Sequence, residues 1–382
     1  MPNQQTPIAI TAMGAITPLG EGVRGLWEGL MRGDCAIKPH RGSPYPVAVL
    51  TPPDAPPTSL PALGRNLLRK GSKPVFETKV AGSRRALVLA STKGDNLPWV
   101  ETRLANHIRG RRHRVAPRSD TVDMAAAARG YADLAGVGGR AFAVSAACAS
   151  GSQAVIEAAE MLVDGDADEV VVVGVDVLSD FVLYGFGALQ ALSKQPARPF
   201  DASRDGLSLG EAAAAVVLRR ATDTDMPLAL ITGWGSSNDA NHISGPSRDG
   251  YGLSLAIDRA LKGLDRGSVR AICAHGTATR YNDAMEAHAF HRSFGAKVPP
   301  VFGVKGSIGH TLGAAALIEL IVSAQCAREH LLPPTVGFTR QDHDEPALDV
   351  VASPREIKPG AILSTNSGFG GINTALVIEG AP

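Results

Sequence analysis

The chain has 382 residues, 44% hydrophobic and 20% charged, which is ordinary for a soluble globular protein and gives room for two structural units with a substantial shared core. A formal net charge of +1 provides no overall field for nucleic acid, and four widely spaced cysteines (Cys35, Cys148, Cys273, Cys326) with no CxxC pair argue against a disulfide framework or a zinc site and suit a reducing compartment. The first basic residue is Arg24, so no signal peptide is expected, and the longest apolar stretch, Thr311 to Ala327, carries Glu319 and falls short of a membrane span, so a cytoplasmic protein is expected.

Along the chain, Ile8 to Thr11 reads as a short strand entering a Gly/Pro turn over Gly14 to Gly20. Leu26, Trp27, Leu30 and Met31 then share one side of a helix. Pro44 to Pro61 is proline-rich and reads as an irregular loop. Ala86 to Ala90 is a buried strand, Thr121 to Leu134 a helix, and Phe142 to Val144 a strand. Gln153 to Val163 is a helix, Glu169 to Val173 a strand, and Ala212 to Leu218 another. A second series opens with the strand Leu228 to Thr232, followed by a helix, Leu253 to Leu264, and a strand, Val269 to Ala274. Helices over Asp283 to His291 and Thr311 to Ala327 precede two closing strands, Ala361 to Ser364 and Ala375 to Glu379.

These strands are continuous apolar runs rather than alternating ones, the pattern of sheets covered by helices on both faces. An α/β architecture is therefore expected, with two similar halves, residues 1–225 and 226–382, packed together.

"SAACASGSQA" places Cys148 where a strand turns into a helix, among residues too small to fill a core. The positive end of a helix dipole favours thiolate, which is the nucleophile. Small neighbours (Ala147, Ala149, Ser150, Gly151) would let a substrate carbonyl approach, and backbone amides at the helix start could hold an oxyanion. The competing reading is a small cysteine packed between layers.

Three further segments bear on that choice. "CAHGTATRYNDAMEAHAF" places His275 directly after a strand, and "GVKGSIGHTLGAAALIE" places Lys305 five residues before His310, itself just before a helix. "NSGFGGIN" sets Phe369 among glycines in a flexible turn, Asn366 to Asn373. Singly, each has a plain structural alternative: a satisfied core histidine, a surface lysine, a core phenylalanine.

With these segments in order, the sequence resembles the β-ketoacyl-ACP synthases of the Cys-His-His group, which have the thiolase fold. The resemblance covers nearly the whole chain, including "ITAMGAITPLGEGVRGLWEGLMRGDCAI", "ARPFDASRDGLSLGEAAAAVVL" and "SNDANHISGPSRDGYGLSLAI". It implies a thiolase-like fold whose two halves form a layered αβαβα core. It makes Cys148 the acyl-accepting nucleophile, His275 and His310 the paired histidines, and Lys305 the motif lysine. It places Thr277, Thr279 and Gly370 against the phosphopantetheine arm. Phe369 becomes the gate, its amide sharing the oxyanion hole with that of Cys148, and Glu319 becomes a partner of Lys305. The implied partners are an acyl carrier protein and a second subunit, identical or related, with no nucleic acid or membrane span. No metal or redox cofactor is implied.

The chemistry suits these residue types. A thiol accepts the acyl group, and two neutral imidazoles can donate N–H to the enolate left when a malonyl thioester loses CO2. A nearby lysine and a helix N-terminus both disfavour the imidazolium of His310.

There are departures from the family pattern. "STKGDN" (Ser91 to Asn96) replaces a glycine-rich stretch, "GEAA" (Gly210 to Ala213) replaces "GEGA", and Ser367 stands two before the gate where phenylalanine is usual. The short chain and its "STKG" resemble ketosynthases of polyene-pigment synthesis. Arg103 to Arg118 holds six arginines and no acidic residue; a carrier-docking patch and a merely solvated face both fit, the latter slightly better. Two other functions stay open: an acyltransferase or malonyl decarboxylase on the same fold, and a chain-length partner of another ketosynthase.

Overall fold

The computed structural model describes residues 6–40, 43–50, 84–94, 124–223 and 227–381. In its first half, β1 (Ile8–Thr17) turns tightly into β2 (Gly20–Glu21) and α1 (Gly22–Met31). There follow β3 (Arg85–Ala90), α2 (Met124–Ala135), β4 (Ala141–Val144), α3 (Ser150–Val163), β5 (Glu169–Asp176), α4 (Asp180–Ala188) and β6 (Ala212–Arg220). The second half holds β7 (Ala229–Asn238), α5 (Tyr251–Ala260), β8 (Val269–Cys273), α6 (Arg280–Phe294), β9 (Val301–Phe302) and α7 (Lys305–Ile308). It closes with α8 (Ala315–Glu329), a small ribbon of β10 (Leu331–Leu332) and β11 (Arg355–Glu356), and the hairpin of β12 (Ala361–Gly368) and β13 (Ile372–Gly380).

The strands run in the order β4-β3-β5-β6-β1-β7-β13-β12-β8-β9. Strands β4, β3 and β5 are parallel, and β6 and β1 continue antiparallel. Strands β9, β8 and β12 are likewise parallel, and β13 and β7 continue antiparallel. With β2 and the β10–β11 ribbon set aside, all five strands of each set take the same places in chain order, so the two halves mirror each other. They meet where Ile8 to Ile10 pairs with Ala229 to Ile231.

Burial explains the apolar strands. In β5, Val170 and Val172 face a core built around α3 and α8, while Val171, Val173 and Val175 face a second core under α2. A third core lies under α5 and α6 against β12 and β13. Helices thus cover both faces of both strand sets, in the order helix, sheet, helix, sheet, helix. Helix α8 is buried on every side from Ala315 to Ala324, as befits a helix that is apolar all round. Among the described residues no helix is long and apolar enough to cross a membrane.

Several expectations need correction. Strand β1 continues through the stretch read as a turn, to Thr17, because its partner β6 is apolar over the same length. The Asn366–Asn373 turn is a tight hairpin with Gly368 paired to Ile372, so only Phe369, Gly370 and Gly371 form the loop. Helix α4 and the single turn α7 carry too little periodicity to be read from sequence. The first turn of the Thr311–Ala327 helix is a 3-10 turn, Leu312–Ala314. Of the Pro44–Pro61 loop, residues 51–61 lie outside the described residues, as does all of Arg103 to Arg118.

Candidate active site

Strand β4 delivers the chain to a sharp elbow, and α3 starts at Ser150. Ala147 sits at φ 49°, a conformation that costs a non-glycine residue of order 1–3 kcal/mol and needs support from its surroundings. Ser150 supplies that support: its hydroxyl accepts from the Ala146 amide at 2.9 Å and donates to the Ala147 carbonyl at 2.5 Å. The amides of Ala149 and Ser150 are spent on the carbonyls of Ala146 and Ala147. Gly151 must be glycine, because a Cβ there would lie 2.7 Å from the Leu317 amide nitrogen where α3 crosses α8.

Cys148, 6% exposed, lines a cavity of about 990 Å³ together with His275, His310, Thr277, Thr279 and Phe369. Burial pushes its thiol up to about 12, and Lys305 pulls it only part of the way back. Burial therefore favours the thiol form. Desolvation thus opposes the thiolate that the helix start would favour.

His275 follows β8, and the turn carrying it is held by two carboxylates on α6. Glu286 accepts from the amides of His275 (2.8 Å) and Gly276 (2.7 Å), and Asp283 from those of Phe200 (2.7 Å) and Ala278 (3.2 Å). Burial pushes Asp283 up to about 6; burial, with Asp283 beside it, pushes Glu286 up to about 8. Thr279 caps α6 by accepting from the Asn282 amide, and its hydroxyl lies 3.0 Å from that of Thr277.

The histidine tautomers follow from their partners. His275 Nδ1 faces the Lys305 ammonium at 3.1 Å and the Asn366 amide nitrogen at 3.3 Å. Both groups only donate, so Nδ1 accepts and the proton of the neutral ring is on Nε2. His310 Nδ1 accepts from the Leu312 amide at 3.2 Å, which likewise puts its proton on Nε2. That Nε2 is buried without a partner among the described residues. Burial, with Lys305 second, drives both histidines well below the usual range, so both are neutral. The two rings stand edge to face with centroids 5.2 Å apart.

Lys305 is 2% exposed and donates to the Glu319 carboxylate, the His275 carbonyl and His275 Nδ1. Three acceptors match the three protons of an ammonium. Glu319 is fully buried, and burial raises it against the pull of Lys305. This pair stands behind His275 rather than in the cavity.

Cys148 Sγ and one nitrogen from each imidazole lie within 4.8 Å of one another, a spacing that could hold a metal ion. The tautomers oppose such use. Ligation through Nε2 would require protons on both Nδ1 atoms, where an ammonium, an amide and a backbone N–H already point. The arrangement supplies two N–H donors rather than two lone pairs.

Phe369 is 37% exposed and stacks on Phe186 of α4, with centroids 5.5 Å apart. The residue before it packs against the elbow: a Cβ on Gly368 would lie 2.7 Å from the Ala146 carbonyl and 3.3 Å from the Ala149 nitrogen. Ser367 donates to Asn373 rather than filling the position with a ring. Gly370, expected against the substrate arm, does not line the cavity. Its amide donates to the Ile243 carbonyl and its carbonyl accepts from Asn238, which tie it to the 238–247 loop.

Glu286, Asp283 and Asn366 escaped sequence reasoning. The Asp-x-x-Glu spacing one turn after "HGTAT" puts both carboxylates on one helix face and was a usable signal. Asn366 gave none, since an asparagine near glycines reads as a turn residue.

Comparison with known families finds the β-ketoacyl synthase N-terminal domain over residues 5–55 and 73–224 and the β-ketoacyl synthase C-terminal domain over 228–339. The chain is 28% identical to a 3-oxoacyl-[acyl-carrier-protein] synthase 2 of Coxiella burnetii, covering 97% of this chain and 98% of that one. It is 36% identical to the tetracenomycin polyketide synthase ketoacyl synthase alpha subunit of Streptomyces glaucescens, over 64% of this chain and 61% of that one. Among solved structures, the ketosynthase (ApeO) in complex with its chain length factor (ApeC) from Xenorhabdus doucetiae matches with a TM-score of 0.84 and 26% identity, covering 98% of each chain.

Proposed function

The chain belongs to the β-ketoacyl synthase family, and on that footing we propose that it condenses an acyl group held on Cys148 with a malonyl thioester, both delivered on the phosphopantetheine arm of an acyl carrier protein. The observation that carries this reading is the convergence of one thiol and two neutral, Nε2-protonated imidazoles within 4.8 Å.

In the first half-reaction the Cys148 sulfur adds to the acyl thioester, and the amides of Cys148 and Phe369 hold the oxyanion. The carrier thiol departs with the proton that the sulfur gave up. In the second, the malonyl carboxylate leaves as CO2, and its bonding pair becomes an enolate whose oxygen lies between the two Nε2–H donors. The enolate carbon attacks the Cys148 thioester, the C–C bond forms and the C–S bond breaks. The sulfur then takes up a proton from solvent, which its buried setting favours.

Thr277 and Thr279 position the arm, Phe369 gates the cavity, and Lys305 with Glu319 holds His275. Two N–H donors supply the stabilisation that a metal would otherwise give, so we expect no cofactor beyond the carrier's arm. The ApeO–ApeC complex supports a second, related subunit as partner, the 3-oxoacyl-[acyl-carrier-protein] synthase relative supports an acyl carrier protein, and the bounds of the two matched family domains support a division at residues 225 and 226. Fatty-acid, polyketide or aryl-polyene-type synthesis in the cytoplasm fits this chemistry.

The test is intact-mass analysis of the protein with acyl and malonyl carrier. The reading requires acylation of Cys148, a 3-ketoacyl product, and loss of both in Cys148→Ala. Acylation without product points to an acyltransferase, and no acylation to a chain-length partner.

A further inference from the structure

Asn366 touches three parts of the site at once. It lies on β12, 1% exposed and three residues before Phe369. Its amide nitrogen donates to His275 Nδ1 at 3.3 Å and to Glu319 Oε2, and its amide oxygen accepts from Ser152 Oγ at 3.3 Å. Ser152 is on the nucleophile helix α3, and its hydroxyl is 2.6 Å from that of Thr374 on β13. The opposite amide orientation would turn the Asn366 oxygen onto the Glu319 carboxylate, so these partners also fix which way the amide faces.

Lys305 reaches the same His275 nitrogen, but the two contacts differ in kind. An ammonium on a flexible stem is a point charge that rotates to suit its acceptors, and this one is shared among three of them. The Asn366 amide is planar and short, and it is held on its far side by the nucleophile helix. It can therefore orient the imidazole plane as well as favour one tautomer.

We propose that Asn366 is a positioning residue that locks His275 as the Nε2–H tautomer, aims that N–H into the cavity, and ties the histidine to the helix that carries Cys148. This rests on the reading of His275 as a donor to the enolate. The consequence is selective. Acyl transfer to Cys148 uses backbone donors, so it tolerates loss of the lock; condensation uses the imidazole N–H, so it does not.

The substitution that reverses the lock with little change in shape is Asn366→Asp: Glu319, already raised by burial, takes up a proton to face the new carboxylate, which accepts where the amide donated and draws the ring proton to Nδ1. On full-length, histidine-labelled protein, ¹⁵N–¹H correlation of ring nitrogens reads the tautomer, and intact mass reads acylation and product separately. The wild type is expected to show His275 as Nε2–H. Asn366→Asp is expected to show Nδ1–H, to acylate within about three-fold of wild type, and to lose about 10²–10³-fold in product formation, the loss typical of one oriented donor. A wild-type His275 protonated on Nδ1 overturns the proposal, and that measurement needs no variant to fold. So does an Asn366→Asp protein that keeps the tautomer and condenses within about three-fold of wild type, where a lost donor should cost far more. A wild type that never condenses sinks the proposed function instead, while the tautomer still decides the lock.

Discussion

Gly368→Ala isolates the contact between the gate turn and the nucleophile elbow. Gly368 is outside the left-handed region, so alanine is free to adopt its backbone conformation and the effect is steric alone. The added Cβ would lie 2.7 Å from the Ala146 carbonyl and 3.3 Å from both the Ala147 Cβ and the Ala149 nitrogen. All three belong to the elbow, which Ser150 pins on two sides, so the turn must move instead. Overpacking of this kind costs about 1–3 kcal/mol of stability. Moving the Phe369 amide by a few tenths of an ångström would remove one of the two proposed oxyanion donors, a loss of about 3–4 kcal/mol in the transition state, or roughly 10²–10³-fold in rate. The assay is the pre-steady-state rate of Cys148 acylation by intact mass, with thermal unfolding measured alongside. A variant that melts somewhat lower but acylates hundreds of times more slowly is expected. Acylation within about five-fold of wild type would refute the pairing of the Phe369 amide with Cys148, since a lost donor costs far more than that.

Other consequences follow from the same geometry. With the Cys148 thiol pushed up to about 12, its alkylation by iodoacetamide should climb steadily with pH through 9 and beyond; a plateau below pH 8 would contradict a desolvated resting thiol. Removing one partner of the buried Lys305–Glu319 pair should cost about 3–5 kcal/mol, read by denaturant unfolding, and Lys305→Met with Glu319→Leu should recover part of it; a single Lys305→Met variant as stable as wild type would refute this. Burial pushes Asp283 up to about 6 and Glu286 up to about 8, both above the usual carboxylate range. The native state therefore binds the extra protons, and this contribution is complete below about pH 4 and lost as pH rises through 6 and then 8. The buried imidazoles act oppositely: their contribution is complete above 6.5 and lost as pH falls. Glu286→Gln should thus flatten part of the decline in melting temperature between pH 5 and 8 relative to wild type, and parallel curves would contradict it.

Much of this was legible in the residues. Continuous apolar strands such as Val170 to Val173 can only be buried on both faces, so an α/β arrangement follows from them directly. Cys148, His275 and His310 announced themselves because each sits where a strand or loop hands over to a helix beside small residues. What stayed hidden depends on long-range packing. The thiol's protonation is set by burial that no local pattern reveals. The His275 tautomer depends on Asn366, which reaches the ring only once β12 is packed beside it, whereas that of His310 is set locally by the Leu312 amide two residues on. Gly370 misled because its neighbours line the cavity while its own backbone is tied to the 238–247 loop. Helix α4 went unread because six of its nine residues, Phe181 to Phe186, are mostly apolar on every side, which hides its period.

The most direct measurement follows CO2 release from malonyl carrier by protein already acylated on Cys148, comparing wild type with His275→Ala and His310→Ala. Both variants are expected to accept the acyl group and then to release CO2 at least about 100-fold more slowly, as befits loss of one N–H donor from the enolate. Release at the wild-type rate from either variant would contradict the claim that the two imidazoles carry the decarboxylation.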